Sequence, residues 1–177
     1  MTGRRTALFL FLGVCLAAIL VGLALAWNSK QPSIASPVDV AACHSNHGLP
    51  DPACTPGAAD PRVTQDNIHS TICVSGYSAT VRPPPSYTDS LKRQQISAYR
   101  YTDPNLADYE GDHLIPLELG GSPTDPKNLW PEPRGGDFRA SKKDALENSL
   151  HAKVCAGLVT LAAARASIST NWESTSA

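Results

Sequence analysis

The amino-acid sequence predicts a small α+β domain, crosslinked by disulfides, that follows an apolar N-terminal segment. Between residues 109 and 133, short apolar runs alternate with glycines and prolines, a pattern typical of short strands and turns. Residues 138–154 and 158–172 contain neither glycine nor proline and are rich in helix formers. Four cysteines lie outside the apolar segment, an even number that favours disulfide pairing in an exported chain.

The N-terminus has the features of a targeting segment. Arg4 and Arg5 form a short basic region, residues 7–23 are uncharged and apolar, and Ala24 and Ala26 offer the small side chains that a signal peptidase accepts. The apolar run is also long enough to span a bilayer, so an uncleaved anchor is the alternative. Either way, we expect the domain to lie outside the cytoplasm, secreted or membrane-anchored. The predicted organisation is a signal peptide or anchor over residues 1–26, a flexible tether over 27–42, one domain over 43–173 and a frayed tail over 174–177.

The four cysteines of the domain predict two disulfides, because an exported chain folds in an oxidising compartment. Three pairings are possible. We favour Cys43 with Cys54, which closes a short loop, and Cys73 with Cys155, which joins two distant segments. The alternative for the first pair is a zinc site whose ligands are Cys43, His44, His47 and Cys54.

Two helices are predicted on either side of the central region. The first covers residues 86–101, with Thr88 as a possible cap, and the second covers residues 158–172. Residues 63–82 predict a helical turn followed by short extended segments that end at a rigid triple proline. We expect both helices to pack on the core.

The central region predicts two short strands joined by a turn. The apolar residues between 114 and 119 indicate the first strand, which Pro116 interrupts. Gly120 and Gly121 then turn the chain, and Asn128 begins a second apolar run. The Asn128 amide has donors and an acceptor, so we expect it to tie the turn to the opposing backbone.

Residues 138–154 predict a helix with an apolar stripe formed by Leu146, Leu150 and Val154. Lys143 falls within this stripe and Glu147 lies at its border. One interpretation is that Glu147 binds a metal ion and Lys143 a phosphate oxygen. The other is that the two side chains pair with each other at i, i+4. Further candidates for a metal ligand on this helix are Asp144 and His151.

Asp112 and His113 are adjacent and suit metal-assisted hydrolysis. A carboxylate is a hard ligand for Mg²⁺ or Mn²⁺, and an imidazole can accept a proton near neutral pH. Neighbouring side chains of a flat strand point to opposite faces, so we expect a bend near Gly111 to bring them to one site. The alternative is that Asp112 caps a turn and His113 is a structural histidine.

The run YEGDHLIPLELGGSPTDPKNLWPEP, over residues 109–133, combines DH, a GG turn and NL. It resembles the HNH branch of the His-Me finger nucleases, whose ββα-metal core encloses one metal ion between two strands and a helix. The resemblance implies that Asp112 is a metal ligand, that His113 is the general base and that Asn128 fixes the loop. No histidine follows Asn128 before His151, so Glu147 becomes the candidate for the second ligand. The segments CTPGA, TICVSGY, VRPPPSYT and VCAG are similar to a small exported bacterial HNH-type family.

The expected function is that of an exported, monomeric, metal-dependent endonuclease that cleaves DNA or RNA with low sequence specificity. Removing Arg4 and Arg5 leaves thirteen basic and sixteen acidic residues, so the domain is not broadly basic. Binding of the phosphate backbone is therefore assigned to a local cluster of Arg134, Arg139, Lys142 and Lys143. A membrane would be contacted only through an uncleaved N-terminal segment. The rival expectation is a noncatalytic exported binding or cell-envelope domain that retains a degenerate HNH fold.

Overall fold

The computed structural model of the protein describes residues 43–44, 49–137 and 139–174. These residues form four α-helices and one sheet of two short strands, which confirms the α+β class. The helices are α1 (Tyr77–Val81), α2 (Pro85–Ala98), α3 (Ala140–Cys155) and α4 (Leu161–Asn171). The strands are β1 (Tyr109–His113) and β2 (Leu129–Pro133). The predicted signal segment and tether lie outside the described residues.

The two strands pair antiparallel in an uninterrupted register. Gly111 faces Pro131, Asp112 faces Trp130 and His113 faces Leu129. The bend predicted at Gly111 is therefore wrong, because the ladder continues through this residue without a bulge. Side chains alternate along a strand, so Asp112 and His113 leave β1 on opposite faces.

The first strand lies earlier in the chain than the sequence predicted. Leu114 and Ile115 are buried but follow the strand, and Leu117–Leu119 forms a 3-10 turn. The physical reason is that the side chain of Asn128 takes both backbone groups of Ile115, which leaves them unavailable to a ladder.

Helix α2 packs on both strands, and α3 reaches β1 through the bond of Lys143 to Asp112. The three predicted helices differ in bounds from the predictions. Helix α2 begins after an N-cap at Pro84, so the cap predicted at Thr88 is wrong; proline at the first position needs no amide partner. Helix α4 begins three residues later than predicted, because Thr160 caps it by accepting from the amide of Ala163 at 3.2 Å. Residues 63–82 contain the 3-10 helix Gln65–Ser70 and α1 and no strand, so the short extended segments predicted there are wrong.

Two disulfides close the fold and confirm the favoured pairing. Cys43 is bonded to Cys54, and Cys73 is bonded to Cys155 at the end of α3 across 82 positions. The zinc alternative for Cys43 and Cys54 is therefore wrong, since both sulfurs are bonded to each other. The crosslinks indicate an oxidising setting outside the cytoplasm. Among the described helices, none has the length and apolar character needed to cross a bilayer.

Candidate active site

Asn128 holds the connection between the strands in place. Its side chain is 0% exposed. Its Oδ1 accepts from the amides of Ile115 at 2.9 Å and Ala58 at 3.2 Å. Its Nδ2 donates to the carbonyls of Ile115 and Ser122, both at 3.0 Å. Oδ1 thus accepts two hydrogen bonds and Nδ2 donates two, so the predicted tie between the turn and the opposing backbone is present.

The glycine pair permits the chain to pass close to that tie. Gly120 has φ of +69°, a left-handed conformation that favours glycine, and the guanidinium of Arg165 donates to its carbonyl at 3.1 Å. A Cβ at Gly121 would lie 1.8 Å from the carbonyl oxygen of Ile115. Only glycine fits at position 121, because the backbone of the opposing segment occupies the space of a side chain.

The imidazole of His113 is fixed by this connection. Its Nε2 lies 3.0 Å from the carbonyl oxygen of Pro123. A carbonyl can only accept, so Nε2 carries the proton and Nδ1 has the free electron pair. The ring is 4% exposed, and burial lowers the pKa of His113 against the opposing effects of the Pro123 carbonyl and the Asp112 carboxylate. The neutral ring is therefore favoured, with Nδ1 as the proton acceptor.

The side chain of Asp112 leaves the other face of β1 and meets Lys143 of α3. The Nζ atom of Lys143 donates to Asp112 Oδ2 at 2.6 Å, to the carbonyl of His113 at 2.9 Å and to Glu147 Oε1. Lys143 is 0% exposed. Burial alone would lower the pKa of Lys143, but Asp112, Glu147 and Glu132 outweigh that effect and raise it. The side chain is therefore a charged, fully bonded ammonium.

The arrangement shows the ion pair of one interpretation of the helix, whereas the metal-ligand role of Glu147 stays a prediction. Lys143 and Glu147 both face inward, as the periodicity predicted, and they form the i, i+4 ion pair of the alternative interpretation. The assignment of Lys143 to a substrate phosphate is wrong for this conformation, because all three ammonium hydrogens are used within the protein. Asp112 and Glu147, the two candidate metal ligands, are brought together by the same ammonium.

Glu132 is a member of this site that the sequence analysis did not select. It faces Glu110 in the register, so it is a diagonal neighbour of Asp112 on the same face of the sheet. It is 1% exposed, and its Oε1 has no hydrogen-bond partner. Burial, and secondarily the charge of Asp112, raises the pKa of Glu132 to about 10. Period-two alternation from the apolar Trp130 could have indicated that Glu132 points inward.

Other carboxyl groups surround the same cluster. Burial raises the pKa of Glu147, with Lys143 opposing and Asp112 adding to the increase. Burial also raises the pKa of Glu118, whose Oε1 is a second buried oxygen without a partner. Asp144, a further ligand candidate, is largely exposed, and the partial burial of its carboxyl, together with the charge of Asp112, raises its pKa. The site thus holds more carboxyl groups than buried ammonium groups.

The donor set suits a hard divalent cation. Asp112, Glu132 and Glu147 offer only carboxylate oxygens, the ligands that Mg²⁺ and Mn²⁺ prefer. The unpartnered Oε1 of Glu132 is a buried acceptor that a cation would satisfy. Asp112 and Glu147 each use one oxygen for Lys143, which leaves the other oxygen of each group for a further ligand.

The remaining basic candidates lie on the surface near the start of α3. Arg134 pairs with Glu110 at 2.9 Å while its side chain is 54% exposed. Arg139 is exposed, and its Nε donates to Ser141 Oγ at 3.1 Å. Lys142 is exposed as well. These three side chains stay accessible to a ligand, unlike Lys143.

His151, the other candidate on α3, lies beside the disulfide. Among the described residues, Cys73, His151 and Cys155 have potential ligand atoms within 4.8 Å of one another. The two sulfurs are bonded to each other, and His151 Nε2 lies 2.9 Å from the carbonyl of Ile72. In the oxidised protein these residues form a structural contact.

Comparison with protein-family models, with curated proteins and with solved structures finds no match to this chain. The function is therefore argued from the site.

Proposed function

We propose that this protein is an exported metal-dependent endonuclease with a ββα-metal core, in which His113 is the general base. The observation that carries the proposal is the fixed, neutral imidazole of His113, which follows Asp112 of the buried carboxyl cluster in β1 but leaves the strand on the opposite face. Hydrolysis of a phosphodiester needs a base that can take a proton from water near neutral pH. The hydrogen bond to Pro123 supplies that base by placing the free electron pair on Nδ1.

Each neighbouring residue has a distinct part in the proposal. Asn128 positions the base indirectly, because it holds Ser122, the residue before Pro123. Asp112 and Glu147 would hold a Mg²⁺ or Mn²⁺ ion, with Glu132 as the adjacent carboxyl group. When bound, such an ion would neutralise charge on the scissile phosphate and the leaving oxygen. The resemblance of residues 109–133 to HNH nucleases supports the same assignment.

The substrate in this proposal is DNA or RNA, bound through its phosphates. Arg134, Arg139 and Lys142 are exposed between the end of β2 and the first turn of α3. Contacts between such side chains and phosphates fix the position of a nucleic acid without reading its sequence. The exposed ion pair of Arg134 with Glu110 contributes little, so phosphate can compete for this arginine. Low sequence specificity and a strong dependence on salt follow.

A rival function is favoured by one specific observation. Lys143 already bridges Asp112 and Glu147 and offsets one of their two charges, which is the arrangement expected of a noncatalytic binding or cell-envelope domain that needs no metal ion. Cleavage of nucleic acid separates the two functions, because only the nuclease loses an activity when the base is removed.

The test is cleavage of plasmid DNA and single-stranded RNA by the oxidised domain from Trp27 onward, with Mg²⁺, Mn²⁺ or a chelator. His113→Ala removes the proposed base, and His69→Ala, at an exposed position on a 3-10 helix, is the matched control. We expect cleavage by the wild type and the control only with the metal, and a loss of at least about 100-fold in His113→Ala. No cleavage by the wild type, the control or His113→Ala, all folded, would favour the noncatalytic domain, and equal metal-dependent cleavage by all three would refute His113 as the base.

A further inference from the structure

The ammonium of Lys143 occupies the position that joins the two candidate metal ligands. It contacts Asp112 Oδ2 at 2.6 Å and also contacts Glu147 Oε1, and its third hydrogen goes to the His113 carbonyl at 2.9 Å. The ammonium is 0% exposed and has no remaining donor for solvent. The chain itself therefore offsets one of the two charges of the acid pair.

A divalent ion entering this site must interact with that ammonium. Like charges that share the same carboxylate oxygens repel each other in a partly buried site, and the repulsion is twice as strong when one of the two charges is doubled. The same carboxylates cannot give their full interaction to both cations. The two cations therefore compete for the oxygens of Asp112 and Glu147.

The unpartnered oxygen of Glu132 indicates that the ammonium does not satisfy the whole site. Glu132 is buried on the sheet face that carries Asp112, and Lys143 donates no hydrogen to it. One buried ammonium thus faces three buried or half-buried carboxyl groups, those of Asp112, Glu132 and Glu147. A second, more highly charged cation would bind the carboxylate oxygens that the ammonium leaves unpaired.

We propose that Lys143 is the resident cation of this site and that a divalent ion binds by displacing its ammonium from Asp112 and Glu147. The inference rests on the metal site of the proposed function and not on cleavage. It makes metal binding an exchange of one cation for another, so the affinity of the wild type is weaker than its carboxylates alone would provide. Removal of the ammonium then strengthens metal binding.

The first test compares Lys143→Met with Lys142→Met, the same substitution at the adjacent, exposed lysine. Binding of Mn²⁺ is measured by isothermal titration calorimetry, and the shift in melting temperature on adding Mn²⁺ is measured by calorimetry. We expect Lys143→Met to bind Mn²⁺ at least about tenfold tighter than the wild type, with a larger shift in melting temperature. Lys142→Met should match the wild type. Adding Glu147→Gln to Lys143→Met should remove the gain.

The result that overturns the inference is a folded Lys143→Met protein that binds Mn²⁺ no tighter than the wild type. Because this variant leaves buried acids unpaired, its folding is assayed with and without Mn²⁺, and rescue of folding by Mn²⁺ alone counts as the expected gain.

A measurement on the wild type does not depend on that variant. The ¹⁵N signal of the Lys143 ammonium, assigned with Lys143→Arg, is followed during titration with Mg²⁺. Displacement predicts that the signal shifts and that its hydrogens exchange faster with water. A Mg²⁺ ion that saturates a site while this signal is unchanged contradicts the inference. If the wild type still cleaves nucleic acid with Mg²⁺ while the signal is unchanged, the inference fails and the proposed nuclease stands. If Lys143→Met binds Mn²⁺ more tightly than the wild type but the wild type cleaves nothing, the nuclease fails and the inference stands.

Discussion

Replacing Asn128 by alanine tests whether one side chain holds the candidate site together. The substitution removes four hydrogen bonds to three backbone segments, at Ala58, Ile115 and Ser122. Two amides and two carbonyls then lose a partner in a region from which solvent is largely excluded. We therefore expect a loss of stability rather than a local change of the surface.

The magnitude follows from the number of bonds. A typical intramolecular hydrogen bond contributes about 1 kcal/mol net, and a buried group left without a partner costs about 1–3 kcal/mol. Four bonds give a loss of roughly 4 kcal/mol, reduced where water enters the vacated space. Since domains are stable by about 5–15 kcal/mol, the loss is a large part of the total.

The assay is urea denaturation of the oxidised domain, followed by circular dichroism. The matched control is Asn148→Ala on the exposed face of α3, where the amide makes one bond, from Nδ2 to the Asp144 carbonyl at 2.8 Å. We expect the control to change the free energy of unfolding by less than about 1 kcal/mol. If Asn128→Ala costs no more than this control, the tie has no energetic role and the reasoning fails.

Three further changes test other parts of the structure. Replacing Cys73 and Cys155 together by serine removes a crosslink across 82 positions. Urea denaturation should show that the free energy of unfolding falls by about 4 kcal/mol. A fall of less than about 1 kcal/mol would refute the chain-entropy argument. Gly121→Ala places a Cβ 1.8 Å from a carbonyl oxygen, whereas Gly135→Ala meets no atom within 4 Å, so only the first should lower the melting temperature, by roughly 10 °C or more. Burial raises the pKa of Glu132 from 4.5 to about 10. The folded protein therefore keeps a proton that the unfolded chain releases above pH 4.5, and stability is lost as the pH rises from 4.5 toward 10. Glu132→Gln should therefore equal the wild type at pH 4.5 and exceed it in melting temperature at pH 9; parallel pH profiles would contradict the assignment.

Local patterns in the sequence predicted the parts of the fold that depend on neighbours along the chain. The apolar stripe of α3 correctly placed Lys143 and Glu147 on the inner face, because helical periodicity fixes which side chains share a face. The tie by Asn128 was also predicted, because its amide has donors and an acceptor and lies where the second apolar run begins. The even number of cysteines predicted two disulfides, and the observed pairing is the favoured one of the three that were possible.

Contacts between distant segments were not predictable in the same way. The bond from Lys143 to Asp112 spans 31 positions and depends on how α3 crosses the sheet. The first strand was misplaced because its residues, YEGDH, are mostly polar, and polar strands lack the apolar signal on which the assignment relied. Arg165, whose guanidinium donates to the carbonyls of Leu119 and Gly120, carried no signal in the sequence, since an arginine in a helix is ordinarily solvated.

The crosslink from Cys73 to Cys155 encloses β1, β2 and all of α3 in a single covalent ring. A peptidase that cuts one bond anywhere in this ring produces two chain ends but no separate fragments. The nicked protein would run as one band on a gel without reductant and as two bands with it. After the first cut, the pieces that carry the carboxyl groups and the imidazole therefore stay covalently joined.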